Sequence, residues 1–197
     1  MGDYFERIVD VEVSGTEAAA TAERMVDWMV SRGWLTREMS GEVMYSLQVS
    51  EGHVPGPDWG EITQEWGADW MPGPVAVITV RDAHYPGQGG IPPSSADCPR
   101  CAATAVIIDY PNAWEPDEAV WQPFSEAIDN WRYTGDGPMT CRACGVASPI
   151  TSWEWADGFA LGALAFDFWN WPPLSDSFVA EFAAHLGHRI VQHGGKF

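Results

Sequence analysis

The sequence predicts an α+β protein in which β-α-β units share a mixed or antiparallel sheet, with a cysteine-bearing module inserted between them. Three observations carry this. Strand-like and helix-like apolar periods alternate at both ends of the chain, a Gly/Pro/Ser stretch at 85–97 (YPGQGGIPPSSAD) breaks the pattern, and all four cysteines fall in two CxxC pairs. A chain of 197 residues with 46% hydrophobic composition is long enough to bury roughly 70% of its unfolded surface.

The elements follow in order. Residues 4–13 alternate, with Phe5, Val9, Val11 and Val13 opposed to Glu6, Asp10 and Glu12, the pattern of a half-buried strand. Ser14 and Glu17 have the spacing of a capping box. Ala22, Met25, Val26, Met29 and Val30 recur at helical spacing up to a stop at Gly33. Val43, Tyr45, Leu47 and Val49 alternate again and predict a second strand. Asp58 and Glu61 predict the cap of a short helix carrying Trp59, Ile62, Trp66 and Trp70 on one face, followed by a buried strand at 75–81. Past the cysteines, 162–169 reads as a strand. Ser175 caps a helix with Phe178, Phe182 and Leu186 inward and Gly187 at its end, and 188–193 reads as a last short strand. Two such halves in one sheet match the ferredoxin-like arrangement. The expected domains are 1–90, an inserted module at 91–158, and 159–197, which completes the main sheet.

The cysteines give the sharpest chemical signal. CPRC (98–101) and CRACG (141–145) are two tight turns, each able to present two thiolates to one tetrahedral cation. Each pair precedes strand-like sequence, 104–109 and 148–155, as in knuckles carried on hairpins. Four thiolates around Zn²⁺ leave a charge of about −2, and Arg100 and Arg142, one inside each knuckle, are placed to offset it. Cys98, Cys101, Cys141 and Cys144 are therefore the expected ligands of a structural Zn²⁺. Iron and a thiol–disulfide pair at CPRC are the competing uses of these residues. A catalytic zinc is disfavoured because four cysteines close the coordination shell to water.

These knuckles resemble the zinc-ribbon, or rubredoxin-like, family of metal-binding hairpins. The resemblance covers the knuckles and their flanking strands, and it implies the four ligands and a structural role without an activity. Two features depart from it. The spacer, residues 102–140, has 39 residues against the usual range of about 15–20, and Ala102 stands where glycine is commoner. Within the spacer, Trp121, Phe124, Ile128 and Trp131 mark a helix expected to start near Pro123.

Charge bounds the partners. With 28 Asp+Glu against 10 Lys+Arg and a net charge of −18, the chain lacks the basic footprint that nucleic acid or an anionic membrane requires. A basic protein partner fits that balance. No run of about 18 apolar residues occurs, and the opening MGDYFERIVDVEV has no signal-peptide pattern, so a soluble cytoplasmic protein is expected.

Other chemistry is sparse. His185, His188 and His193 cluster near the end, but a strand places residues five apart on opposite faces, which argues against a second metal site. Trp153/Trp155 and Trp169/Trp171 are spaced to stack a sugar, and packing between the inserted module and the main sheet is the plainer expectation. No phosphate loop, nucleophile elbow or H-E-x-x-H helix is present, so no catalytic residue is assigned. The sequence thus favours a non-enzymatic interaction or regulatory module. The alternative is an enzyme working in a cleft between sheet and module, with Asp109, Asp167 and His188 as its candidates.

Overall fold

A computed structural model describes residues 4–65, 67, 70–86 and 90–196. The fold is mixed α+β, with three α-helices among the described residues and mostly antiparallel sheets. The chain divides into two units, Met1–Val80 with Gly162–Phe197, and Arg81–Leu161.

The first unit holds β1 (Tyr4–Asp10), α1 (Ala18–Ser31), β2 (Leu35–Ser40), β3 (Gly52–Pro55) and β4 (Val75–Ile78). After the second unit, which contributes β5 to β11 and α2, it resumes with β12 (Leu164–Trp169), α3 (Asp176–Leu186) and β13 (Ile190–Lys196). The six strands form one sheet in the order β13-β1-β12-β4-β3-β2, with every pairing antiparallel. Alternation along β12 divides its side chains between two faces. Leu164, Phe166 and Phe168 join Met25, Val26 and Met29 of α1 and Phe178, Phe182 and Leu186 of α3 in the main core. Trp169 packs on the other face with Phe5 and Ala76. As expected, α3 opens on Ser175, whose Oγ accepts from the Phe178 amide at 3.2 Å, and closes on Gly187.

Several expectations about this unit need correction. Residues 43–49 are not a strand. Met44 and Val49 pack against Phe5, Ala76 and Trp169, while Leu47 is 93% exposed. The alternation therefore belongs to a loop lying on the second face of the sheet. The strand that pairs with β3 is instead β2, an edge strand. Its exposed Arg37 and Glu38 hide the apolar signal, as edge strands commonly do. The Ser14–Glu17 capping box does not form. Ser14 Oγ donates to the Glu17 carboxylate at 2.6 Å, and its backbone carbonyl takes the Glu17 and Ala18 amides at 3.0 Å. The tryptophan helix reduces to a single 3₁₀ turn, Trp59–Ile62. Trp59 packs against the core, the Trp70 indole donates to the Asn170 carbonyl at 2.7 Å, and Trp66 lies outside the described residues.

The second unit holds β5 (Asp82–His84), β6 (Ser95–Asp97), β7 (Thr104–Val106), α2 (Glu118–Thr134), β8 (Pro138–Thr140), β9 (Ala147–Pro149), β10 (Glu154–Trp155) and β11 (Ala160–Gly162). These make a three-stranded sheet β10-β6-β7, the hairpin β8-β9 and the pair β11-β5. Its core gathers Ile107, Ile108, Phe124, Ile128, Trp131, Ile150, Trp153 and Phe159. The rings of Trp153 and Trp155 lie 4.9 and 5.5 Å from that of Phe124, so this tryptophan pair packs within its own unit and offers no sugar-stacking platform.

Helix α2 begins five residues before Pro123. Asp117 caps it by accepting the Ala119 amide at 2.9 Å. A proline inside a helix has no N–H for the carbonyl four residues back, here that of Ala119. That carbonyl is satisfied from outside the helix, by the Arg142 guanidinium. The interior proline is thus tolerated through a partner remote in sequence.

Candidate metal centre

Each CxxC pair sits at the tip of a hairpin. β6 and β7 pair through Asp97↔Thr104 on either side of Cys98–Ala103, and β8 and β9 through Thr140↔Ala147 on either side of Cys141–Val146. The two turns repeat one backbone pattern. The Cys98 amide donates to the Ala103 carbonyl at 3.0 Å and the Ala102 amide to the Cys98 carbonyl at 2.9 Å. Their counterparts are Cys141 to Val146 at 3.0 Å and Gly145 to Cys141 at 2.8 Å. The residue after each second cysteine is left-handed, with φ of 55° at Ala102 and 72° at Gly145. Glycine meets that demand without a Cβ clash, and the first knuckle meets it with alanine.

This matched geometry brings all four sulfurs together. The Sγ atoms of Cys98, Cys101, Cys141 and Cys144 lie within 4.8 Å of one another, and those of Cys101 and Cys141, from different knuckles, are 3.9 Å apart. A tetrahedron with metal–sulfur bonds of about 2.3 Å has S···S edges of about 3.8 Å, so the four cysteines fit one cation of zinc's size. The cysteines are free, with Cys98 and Cys141 buried and Cys101 and Cys144 exposed. Each knuckle thus has its first cysteine buried and its second exposed.

The electrostatics set the four thiols apart from one another. The amide of Cys144, then that of Ala143, donates toward Cys141 and holds its thiol down at about 7. At Cys101 the Ala103 amide acts in the same direction. Lost solvation and the three neighbouring sulfurs outweigh it, and the thiol is pushed up to about 12. Four sulfurs this close cannot all ionise unless a positive ion compensates them. The Arg100 amide contributes a further N–H toward Cys98 Sγ at 3.4 Å. Arg142 lies between the two cysteines of its knuckle and spends its guanidinium on Ala119 of α2, so it braces the second knuckle as well as adding charge near it.

The other candidates are not members of this group. Asp109 is exposed and accepts from the Asn112 side-chain amide at 3.2 Å. Asp167 is fully buried and forms a two-pronged pair with Arg7, with Nε–Oδ1 and Nη2–Oδ2 both at 2.5 Å. Burial pushes the Asp167 carboxyl up and Arg7 works against that shift. His188 Nδ1 stands 2.8 Å from Asp10 Oδ2, and the Glu12 and Val13 amides both donate to Asp10 Oδ1 at 2.9 Å. Sequence reasoning did not reach this pairing, because Asp10 and His188 belong to opposite ends of the chain. The three C-terminal histidines take different roles. His185 stacks on Trp28 at 4.5 Å, His188 holds Asp10, and His193 is buried in β13. Among the described residues, the four cysteines are the one group of three or more metal-ligating side chains placed to share an ion.

No helix among the described residues is long and apolar enough to cross a membrane. No family model, curated protein or solved structure matches the chain.

Proposed function

We propose that the second unit is a structural zinc module, with Cys98, Cys101, Cys141 and Cys144 as its four ligands, and that the protein is a non-enzymatic interaction module for a basic partner. The observation that carries the metal assignment is the approach of four sulfurs to within 4.8 Å of one another from two matched hairpin tips. That arrangement supports the zinc-ribbon resemblance. The strand order β13-β1-β12-β4, with α1 after its first strand and α3 before its last, supports a ferredoxin-like first unit extended by β3 and β2. Zinc supplies cross-linking here: four thiolates fill its shell and leave no position for water or substrate. The knuckle backbones orient the sulfurs, and α2 braces one of them through Arg142.

The net charge of −18 favours encounter with a positively charged protein and disfavours nucleic acid. Elemental analysis of the purified protein should find about one zinc per chain. Metal-free protein with disulfides Cys98–Cys101 and Cys141–Cys144 would refute the module. Capture from source-cell extract should retain a basic protein, with an association rate that falls as salt rises. A partner bound at a salt-independent rate would refute the electrostatic part.

A further inference from the structure

We infer that the surface made by Val106, Asp109, Tyr110, Trp114, Glu115 and Asp117 docks an arginine-rich segment of a basic protein. This rests on the interaction reading above and names its surface. Residues 107–118, IIDYPNAWEPDE, contain four acids and no base. Ile107 and Ile108 are buried and anchor the segment in the core of the second unit. Between these anchors and α2 the loop closes on itself. The Asn112 and Ala113 amides donate to the Asp109 carbonyl at 2.7 and 2.8 Å, and the Asp117 amide donates to the Ile107 carbonyl at 2.8 Å. Its shape is thus set before any partner arrives, which lowers the entropic cost of association.

The loop presents large apolar groups to water. Trp114 is 76% exposed and stands edge-on to the half-exposed Tyr110, with ring centroids 5.1 Å apart. Val106 is half-exposed as well. Val106, Asp109, Glu115 and Asp117 also line an open hollow of about 640 Å³. Exposed aromatic rings make a surface suited to a partner, and the segment that carries them has only acidic charges to set its sign. A guanidinium stacks on an indole face and pairs with a carboxylate through two parallel hydrogen bonds, which an ammonium cannot do. Arginine interleaved with apolar residues therefore fits both halves of the surface.

The test uses the zinc-loaded full chain, ¹⁵N-labelled and titrated with an acetylated, amidated octapeptide alternating arginine and leucine, and with its glutamine–leucine counterpart. The arginine peptide should move the amides of 106–117 and the Trp114 indole N–H. Trp114→Ala should weaken it about tenfold. Asp109→Asn with Glu115→Gln should weaken it to a similar degree and flatten its salt dependence. Amide spectra unchanged elsewhere would show that these surface variants remain folded. The proposal is overturned if shifts fall outside this segment, if Trp114→Ala binds as well as the parent, if the glutamine peptide binds equally, or if millimolar arginine peptide moves nothing. A natural basic partner captured equally by the parent and by Trp114→Ala would remove this surface and leave the broader interaction reading standing.

Discussion

The guanidinium of Arg142, set between two cysteines of the second knuckle, donates to the Ala119 carbonyl that Pro123 leaves without its helical amide. One side chain thus repairs an interior defect of α2 and ties that helix to the candidate metal centre.

This relationship predicts non-additive energetics. Arg142→Met should cost about 1–2 kcal/mol, the penalty for orphaning a carbonyl and losing a charge-assisted hydrogen bond. In a Pro123→Ala background the helix supplies its own amide, so the same replacement should cost much less. Urea unfolding of the four-member cycle measures the coupling, and additive effects would show that the two residues do not share the Ala119 carbonyl.

Ala102 carries a second prediction. It holds φ of 55° where the matching knuckle has Gly145. A left-handed residue with a Cβ costs about 1–2 kcal/mol, partly offset by the greater chain entropy glycine brings to the unfolded state. Ala102→Gly should therefore stabilise the second unit by about 0.5–1 kcal/mol. Thermal unfolding would report this, and a drop in stability would mean that Ala102 is not strained.

The Arg7–Asp167 pair joins neighbouring strands β1 and β12 in direct register. Removing Arg7 strands a carboxylate with no exposure to water. Arg7→Met should accordingly cost about 3–5 kcal/mol, whereas Arg7→Met with Asp167→Asn should recover a substantial part of that. Chemical denaturation distinguishes these outcomes, and equal losses in the single and double variants would contradict the pairing account.

His53 supplies a pH dependence. Burial holds its imidazole below its ordinary value of 6.5, against the opposing pull of the Thr36 carbonyl. Because the unfolded chain takes up the proton first, the stability His53 contributes is complete above pH 6.5 and declines as pH falls through its folded value. His53→Gln should flatten the decline in this range. An unaltered stability profile would remove His53 as its source.

The parts of this protein legible in its sequence are those whose cause is local. CPRC and CRACG announce a candidate metal centre because tight turns alone place both sulfurs of each, and Ser175 and Gly187 bound α3 because caps act within one turn. The features that local spacing does not reveal depend on distant partners. Pro123 signals a helix start unless Arg142 is known to satisfy Ala119. Val43, Tyr45 and Leu47 alternate like a strand, yet their segment packs as a loop on a sheet face built by Phe5 and Trp169. The Asp10–His188 bond spans nearly the whole chain, so spacing carries no trace of it.

The proposed module stands on four sulfurs holding one zinc ion. X-ray absorption at the zinc edge on protein purified without added metal tests it most directly. The account predicts one zinc per chain with four sulfur neighbours at about 2.3 Å, and loss of that shell in Cys101→Ser or Cys144→Ser. A shell containing oxygen or nitrogen, or protein that folds with no zinc while both knuckles keep their hydrogen-exchange protection, would contradict it.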